Sequence, residues 1–354
     1  MENRRKRLSF FPFLAILLTL FLSACSLDGM QGTSSIPKNA DELVVHYIDV
    51  GQGDSTLIEL PNDENILIDG GTRGSGQVVA DYLDQEGIEH LDYLIATHPH
   101  EDHIGGLVQI VKDYSIGDIY MPKVNHSTQV YENLLQAIAD KGYRISSPGV
   151  GEFMIDEDYL TMNVLAPSEE MTGSNLNNYS IANRLVYGDT SFLFTGDAEK
   201  KSEEYMVENG YDLRADVLKV GHHGGDTSTI ESFLAKVKPT YGVISAGIDN
   251  QYGHPHANVL DRLANQGVDI FRTDEQGTIV ARSDGKTIRF DQAASAEATV
   301  KTQTDEIIVH GSASGSKYHL ESCRFVNEDQ DFLMTIKEAK AEGLEACQVC
   351  KPPQ

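Results

Sequence analysis

A layered α/β domain followed by a small cysteine-bearing module is the fold that the sequence predicts, on three observations. Short β-rich runs alternate with helical stretches from Glu42 to Asp291. That alternation occurs in two successive halves. Cys323, Cys347 and Cys350 then crowd into the last few dozen residues.

In the first half, residues 43–48, 55–60 and 66–68 read as strands, each bounded by Gly, Pro, Asn or Asp. Residues 77–85 read as a helix, and a strand follows to Ala96. The second half repeats the pattern, with strands at 191–194, 217–220 and 241–245 and helices at 199–208 and 229–237. A last strand spans 287–290. Two such halves imply sheets inside and helices outside. Residues 292–306 lack bulky apolar side chains over most of their length and read as a linker, which leaves 307–354 as the small module.

The N-terminus is set apart from the fold. Arg4, Arg5, Lys6 and Arg7 precede an apolar stretch from Phe10 to Leu22, short for a spanning helix, which needs roughly 20 apolar residues. Leu22-Ser23-Ala24-Cys25 resembles the lipobox of bacterial lipoproteins. The resemblance implies cleavage before Cys25, a lipid on its sulfur and attachment at the outer face of the cytoplasmic membrane. An ordinary secretory leader or an uncleaved anchor helix is the alternative. On this reading residues 1–25 are leader and lipidated cysteine, 26–41 a polar tether, and 42–291 the layered domain.

The 354 residues carry a formal charge of −26. Nucleic-acid binding is normally driven by Lys and Arg neutralising phosphates. A chain this acidic has to hold any nucleic acid through metal ions and a local patch. The sequence points to no protein partner.

The densest chemistry lies in Thr97-His98-Pro99-His100-Glu101-Asp102-His103-Ile104-Gly105-Gly106, directly after a strand. Imidazole and carboxylate are the usual ligands of zinc and several other divalent ions. His98 and His100, two apart on an extended loop, can face one ion, while Asp102 and His103 reach a second. Two ions about 3.5–4 Å apart can activate water near neutral pH.

Here the chain resembles the metallo-β-lactamase superfamily, whose second motif is His-x-His-x-Asp-His. The resemblance implies a four-layer αββα sandwich over 42–291, with His98 and His100 on one metal and Asp102 and His103 on the other. Ile66-Leu67-Ile68-Asp69-Gly70-Gly71 is similar to the first motif, whose aspartate orients the ligand loop. Phe194-Thr195-Gly196-Asp197 is similar to the motif of the bridging aspartate. Four further stretches recur together in one branch, the metallo-β-lactamase-like domain of the competence protein ComEC and its soluble relatives. They are Asp49-Val-Gly-Gln-Gly-Asp54-Ser55, Asn177-Asn178-Tyr-Ser180, Leu218-Lys-Val-Gly-His222-His223-Gly and Asn250-Gln-Tyr-Gly-His254-Pro255. That branch implies a metal-dependent phosphodiesterase or nuclease.

Many members supply another histidine between the second motif and the bridging aspartate. Only His126 lies in that interval, ahead of a helix, and it reads as a surface residue. The later pair is expected to compensate, with His222 as a metal ligand and His223 facing substrate or supporting the ligands. His254 closes the site or contacts substrate. Asp49, Asp54 and Asp69 are expected to support the ligands from behind. Asp102, His223 and His254 make up the expected catalytic set, with His223 or His254 protonating the leaving alkoxide. His256 reads as a loop residue, and His46 and His90 as structural. The metal is Zn²⁺ or Mn²⁺, because a mixed His/Asp set admits both.

In the module, His319-x₃-Cys323 and Cys347-x₂-Cys350 supply one imidazole and three thiolates, the usual set for a closed structural zinc site. A disulfide between two of the cysteines, leaving one thiol over, is the alternative. The segment resembles the small zinc domain related to that of the DNA-repair protein Ada, with histidine replacing one cysteine.

The expected function is therefore a surface-anchored, metal-dependent phosphodiesterase or nuclease acting on extracellular DNA or RNA. Two alternatives stand beside it. One is a hydrolase of another ester or amide, such as a wall-polymer phosphoester, lactone or β-lactam. The other is a non-catalytic DNA-capturing lipoprotein.

Overall fold

Residues 43–47 (Leu-Val-Val-His-Tyr) and 65–68 (Asn-Ile-Leu-Ile) are buried almost throughout, as strands covered on both faces must be. The computed structural model describes residues 41–295 and, farther on, 308–312, 316–320, 323–326, 331–350 and 352. The leader, Cys25 and tether expectations fall on residues 1–41, nearly all of them outside the described residues.

The first half contributes β1 (Leu43–Tyr47), β2 (Thr56–Glu59), β3 (Asn65–Ile68), β4 (His90–Ile95), β5 (Ser115–Tyr120) and β6 (Ile145–Ser146). Its helices are α1 (Gly76–Gln85), α2 (Glu101–Ile104), α3 (Leu107–Asp113) and α4 (Gln129–Asp140). The second half contributes β7 (Phe153–Asp156), β8 (Leu160–Ala166), β9 (Ala182–Tyr187), β10 (Thr190–Phe194), β11 (Val217–Lys219), β12 (Tyr241–Ile244) and β13 (Asp269–Arg272). With them come α5 (Lys200–Glu208), α6 (Glu231–Val237), α7 (Ala257–Asn265) and α8 (Thr273–Gln276). Then β14 (Ile279–Ser283) and β15 (Ile288–Phe290) return to the first sheet, where β14 pairs antiparallel with β1.

One sheet runs β15-β14-β1-β2-β3-β4-β5-β6 and the other β13-β12-β11-β10-β9-β8-β7. Tyr47, Ile58, Ile66, Leu185, Phe192 and Val243 meet in the apolar layer between them. Leu67 and Leu94 pack against α1, α3 and α4 on one outer face, and Leu193 and Leu218 against α5, α6 and α7 on the other. Four layers, helix, sheet, sheet and helix, result.

Each sheet changes from antiparallel to parallel pairing partway across, at β3–β4 in one and β10–β11 in the other. The loops that carry the histidines and aspartates leave the C-terminal ends of β3, β4, β10, β11 and β12. Ligands in open α/β sheets bind at that end of the strands.

Contacts of the layered domain continue past the expected boundary at 291. Ser295 is buried, its N–H donating to Ile270 O at 2.7 Å. In the C-terminal segment, β16 (Ile308–Ser312), β17 (Lys317–His319), β18 (Asp331–Thr335) and β19 (Glu345–Ala346) form a sheet of order β18-β16-β17-β19. Its helix α9 (Ile336–Ala341) starts with a reciprocal Thr335/Glu338 cap. Val309, Tyr318, Met334, Ile336 and Ala339 supply a small core of its own.

Candidate metal centre and active site

Two groups of potential ligands share one carboxylate. His98, His100 and Asp197 offer atoms within 4.8 Å of one another, and so do Asp102, His103, Asp197 and His223. Asp197, buried at the end of β10, is the shared member. Its Oδ2 lies 3.1 Å from His103 Nε2 and 3.8 Å from His98 Nε2, and its Oδ1 lies 3.5 Å from His223 Nε2.

The rings are aimed from behind. Asp69 Oδ2 is 2.8 Å from His103 Nδ1, and its carboxylate also accepts from Thr97 N (2.8 Å) and Thr97 Oγ1 (2.6 Å). Nδ1 of His223 donates to Ser245 O at 3.0 Å, with Asp54 Oδ1 at 3.2 Å. Both bonds put the proton on Nδ1 and turn the Nε2 lone pair inward. Behind Asp54 sits Lys219, its Nζ donating to Oδ2 at 2.8 Å in a fully buried pair. His98 Nε2 and His100 Nδ1 lie 3.0 Å apart, so two ring nitrogens point at one place.

The backbone is held in uncommon shapes here. Asp69, His222 and His223 all have positive φ, at 58°, 50° and 55°. Such strain in non-glycine residues persists only where surrounding bonds over-determine it, and it clusters at functional sites. Gly53 is required where it stands, since a Cβ there would lie 2.4 Å from Asp102 O.

These donors fit a pair of divalent cations. His103 Nε2, His223 Nε2 and Asp197 Oδ1 are buried without a well-formed hydrogen bond among the described residues, although charged oxygens face the two rings. Buried polar atoms are nearly always paired, so three orphans converging on one spot call for a cation. Electrostatics agree. Burial disfavours the charged form of His223, yet Asp197 and Asp54 hold it up to about 10, and His103 is raised for the same kind of reason. The carboxylates thus favour positive charge at this spot. Burial holds His98 and His100 below the usual histidine range, leaving them neutral as ligands must be. Burial and the neighbouring His223, His222 and His256 take His254 down to about 4.

The two adjacent histidines stand differently from the expectation: His223, 1% exposed, falls in the second group of potential ligands, whereas His222 stands at the edge. Its Nε2 lies 3.9 Å from Asp197 Oδ2, and its Nδ1 meets Thr227 Oγ1 at 3.1 Å. Nδ1 of His223 is committed to Ser245 O and Asp54 and its Nε2 faces Asp102 and Asp197, which places His223 among the potential ligands rather than on the substrate side of the cleft. Asp49 serves its own loop, accepting from Gly51 N at 3.0 Å, while Asp54 and Asp69 reach the ligand rings. His126 is half-buried, its ring 6.3 Å from that of His100. Lys219 and Gln52 received no role from the sequence, although both lie inside motifs that it displayed.

The resulting cleft encloses about 330 Å³ and is lined by Gln52, His100, Asp102, Asp197, Tyr252 and His254 among others. In the C-terminal segment, His319, Cys323, Cys347 and Cys350 form a separate group, with no disulfide among its three cysteines. The backbone N–H groups of Leu320 and Val349 point at Cys350 Sγ and Cys347 Sγ, each at 3.4 Å.

The family description "Metallo-beta-lactamase superfamily" matches residues 48–248. Over 300 residues the chain is 34% identical to "ComE operon protein 3" of Bacillus subtilis (strain 168), covering 77% of this chain and 38% of that protein. It is 32% identical to "Competence protein ComA" of Neisseria gonorrhoeae, covering 76% and 35%. To "Recombination protein 2" of Haemophilus influenzae it is 34% identical, covering 62% and 26%. The chain thus spans well under half the length of these relatives.

Proposed function

The chain belongs to the metallo-β-lactamase superfamily, and from that premise we propose that it is a metal-dependent phosphodiesterase acting on DNA or RNA outside the cell. The observation that carries the reading is the pair of ligand groups joined through Asp197. His98, His100 and Asp197 would hold one ion, and Asp102, His103, Asp197 and His223 the other. Bound there, two Zn²⁺ or Mn²⁺ ions supply acidified water and neutralise charge on the phosphoryl oxygens.

The chain's own residues do the rest. Asp69 and Asp54 fix the rings of His103 and His223, so the ligands need little rearrangement during turnover. His254 and His222 face the cleft from the substrate side, their rings 5.3 Å apart. His254, neutral near pH 7, is the group placed to take up or return a proton at the leaving oxygen once a phosphate anion lies beside it.

Relatives named for competence and for recombination support a nucleic-acid substrate over a small ester. The lipobox-like 22–25 stretch supports attachment to the outer face of the membrane through Cys25. His319, Cys323, Cys347 and Cys350 suit a structural zinc ion, with N–H groups aimed at two of the sulfurs as thiolates require.

The test is cleavage of end-labelled single- and double-stranded DNA and of RNA by the purified protein with Mn²⁺ or Zn²⁺. A His98→Ala/Asp102→Ala variant is the control. Metal-dependent cutting that the variant lacks is expected. Two ions bound in the layered domain with no nucleic acid cut would transfer the site to another ester, such as a wall-polymer phosphoester. A protein that holds only the C-terminal zinc would be a receptor.

A further inference from the structure

The loop after β12 is organised by a single side chain. Asn250 Nδ2 donates to Gly247 O and His254 O, while its Oδ1 accepts from Tyr252 N (3.2 Å) and His254 N (3.0 Å). His256 adds a further tie, its Nε2 meeting Tyr252 O at 3.2 Å. A loop so fully bonded has no need to leave an aromatic ring in water. Yet Tyr252 is 55% exposed and lines the metal-ligand cleft, its ring 5.7 Å from that of His254 and tilted by 25°. Ile248, on the same loop, is 73% exposed.

Gln52, from the loop between β1 and β2, lines the same cleft. Its Oε1 accepts from Gly247 N at 3.2 Å, which assigns the amide's orientation. The Nε2 group that remains is buried and has no partner among the described residues. No Lys or Arg is among the residues lining this cleft, and the whole chain carries −26. Backbone phosphates away from the ions therefore gain little here, and what the cleft offers a nucleotide is an aromatic face and an unused amide donor.

We propose that Tyr252 and Gln52 form a nucleobase subsite beside the metal-ligand cluster. The Tyr252 ring stacks on the base next to the bond being cut, and Gln52 Nε2 donates to an acceptor on that nucleotide. This rests on the phosphodiesterase reading and deepens it to base-bearing substrates. Stacking reads every base, since each has a π-face, so the subsite sets little sequence preference but discriminates against phosphodiesters without bases.

The test is calorimetric binding of adenosine 5′-monophosphate and of ribose 5-phosphate to the Mn²⁺-loaded protein, for the wild type, Tyr252→Phe and Tyr252→Ala. The wild type and Tyr252→Phe are expected to prefer the nucleotide by about 5- to 150-fold. In Tyr252→Ala that preference falls to near unity with the same number of ions bound. A wild type without preference, or a Tyr252→Ala protein that keeps it, overturns the subsite. Oligonucleotide cleavage by the same three proteins separates the two readings. Nucleotide preference with no cutting sinks the phosphodiesterase and leaves the subsite, whereas cutting without preference sinks the subsite alone.

Discussion

Replacing Lys219 by methionine removes the cation from the buried pair behind His223. Lys219 and Asp54 are 3% and 6% exposed, Nζ lies 2.8 Å from Oδ2, and a second bond runs from Nζ to Val220 O. Burial raises the Asp54 carboxyl, but Lys219 and then His223 bring it down to about 2, so the carboxylate is ionised and depends on those two charges. Methionine fills nearly the same space and leaves Asp54 facing His223 alone. Removing one partner of a buried pair costs about 3–5 kcal/mol. At a urea m-value of about 3 kcal/mol/M, the unfolding midpoint falls by about 1–1.7 M. The assay is urea unfolding followed by circular dichroism, for Lys219→Met, Asp54→Leu and the double variant. An apolar pair in place of an ionic one is often neutral, so the double variant should lose far less than the two singles combined, giving a coupling energy of about 2 kcal/mol or more. Additive losses, or a Lys219→Met protein as stable as the wild type, would refute the reasoning. The double variant should still bind metal weakly, because His223 Nδ1 has lost Asp54.

Three further outcomes are expected. Asp69→Ala removes the acceptor for His103 Nδ1 and for Thr97, and should weaken the metal of the second ligand group by about 10- to 100-fold in chelator competition. Gly53→Ala drives a Cβ to 2.4 Å from Asp102 O at a φ of 147°, so thermal unfolding should show a loss of about 2 kcal/mol or more together with weaker metal binding. Glu203 is buried, which pushes its carboxyl up to about 8 although it accepts from Thr229 N and Ile230 N. Its folded-state value lies above the ordinary 4.5, so its contribution is complete below pH 4.5 and is lost as pH rises to about 8. Unfolding free energies across that range should show the wild type declining against Glu203→Gln by on the order of 5 kcal/mol; parallel curves would rule this out.

Much of the fold was legible because buried strands leave a local trace. The runs at 43–48, 66–68 and 241–245 are apolar without alternation, as strands covered on both faces must be, and each became a strand within a residue or two. Strands β5 to β9 and β13 to β14 were not placed from sequence. Their residues mix polar and apolar types, and their pairing follows from long-range register, as when β14 returns to β1. Residues 292–295 looked like linker because they lack bulky apolar side chains, yet the small Ser295 is buried.

The sequence by itself determined which chemistry is present. His98, His100, Asp102 and His103 lie within six residues, so their convergence follows from local loop geometry, and Asp69 and Asp197 stand just beyond their strand ends. Only the tertiary structure decided what each remaining group does. His222 and His223 are adjacent and alike in type; a left-handed turn and the position of Ser245, 22 residues on, bury one and leave the other at the rim. Lys219 and Asp54 are 165 residues apart in the chain, and Gln52 meets Gly247 across 195. Such partners are chosen by the packing of one sheet on another, and no local pattern of residues records it.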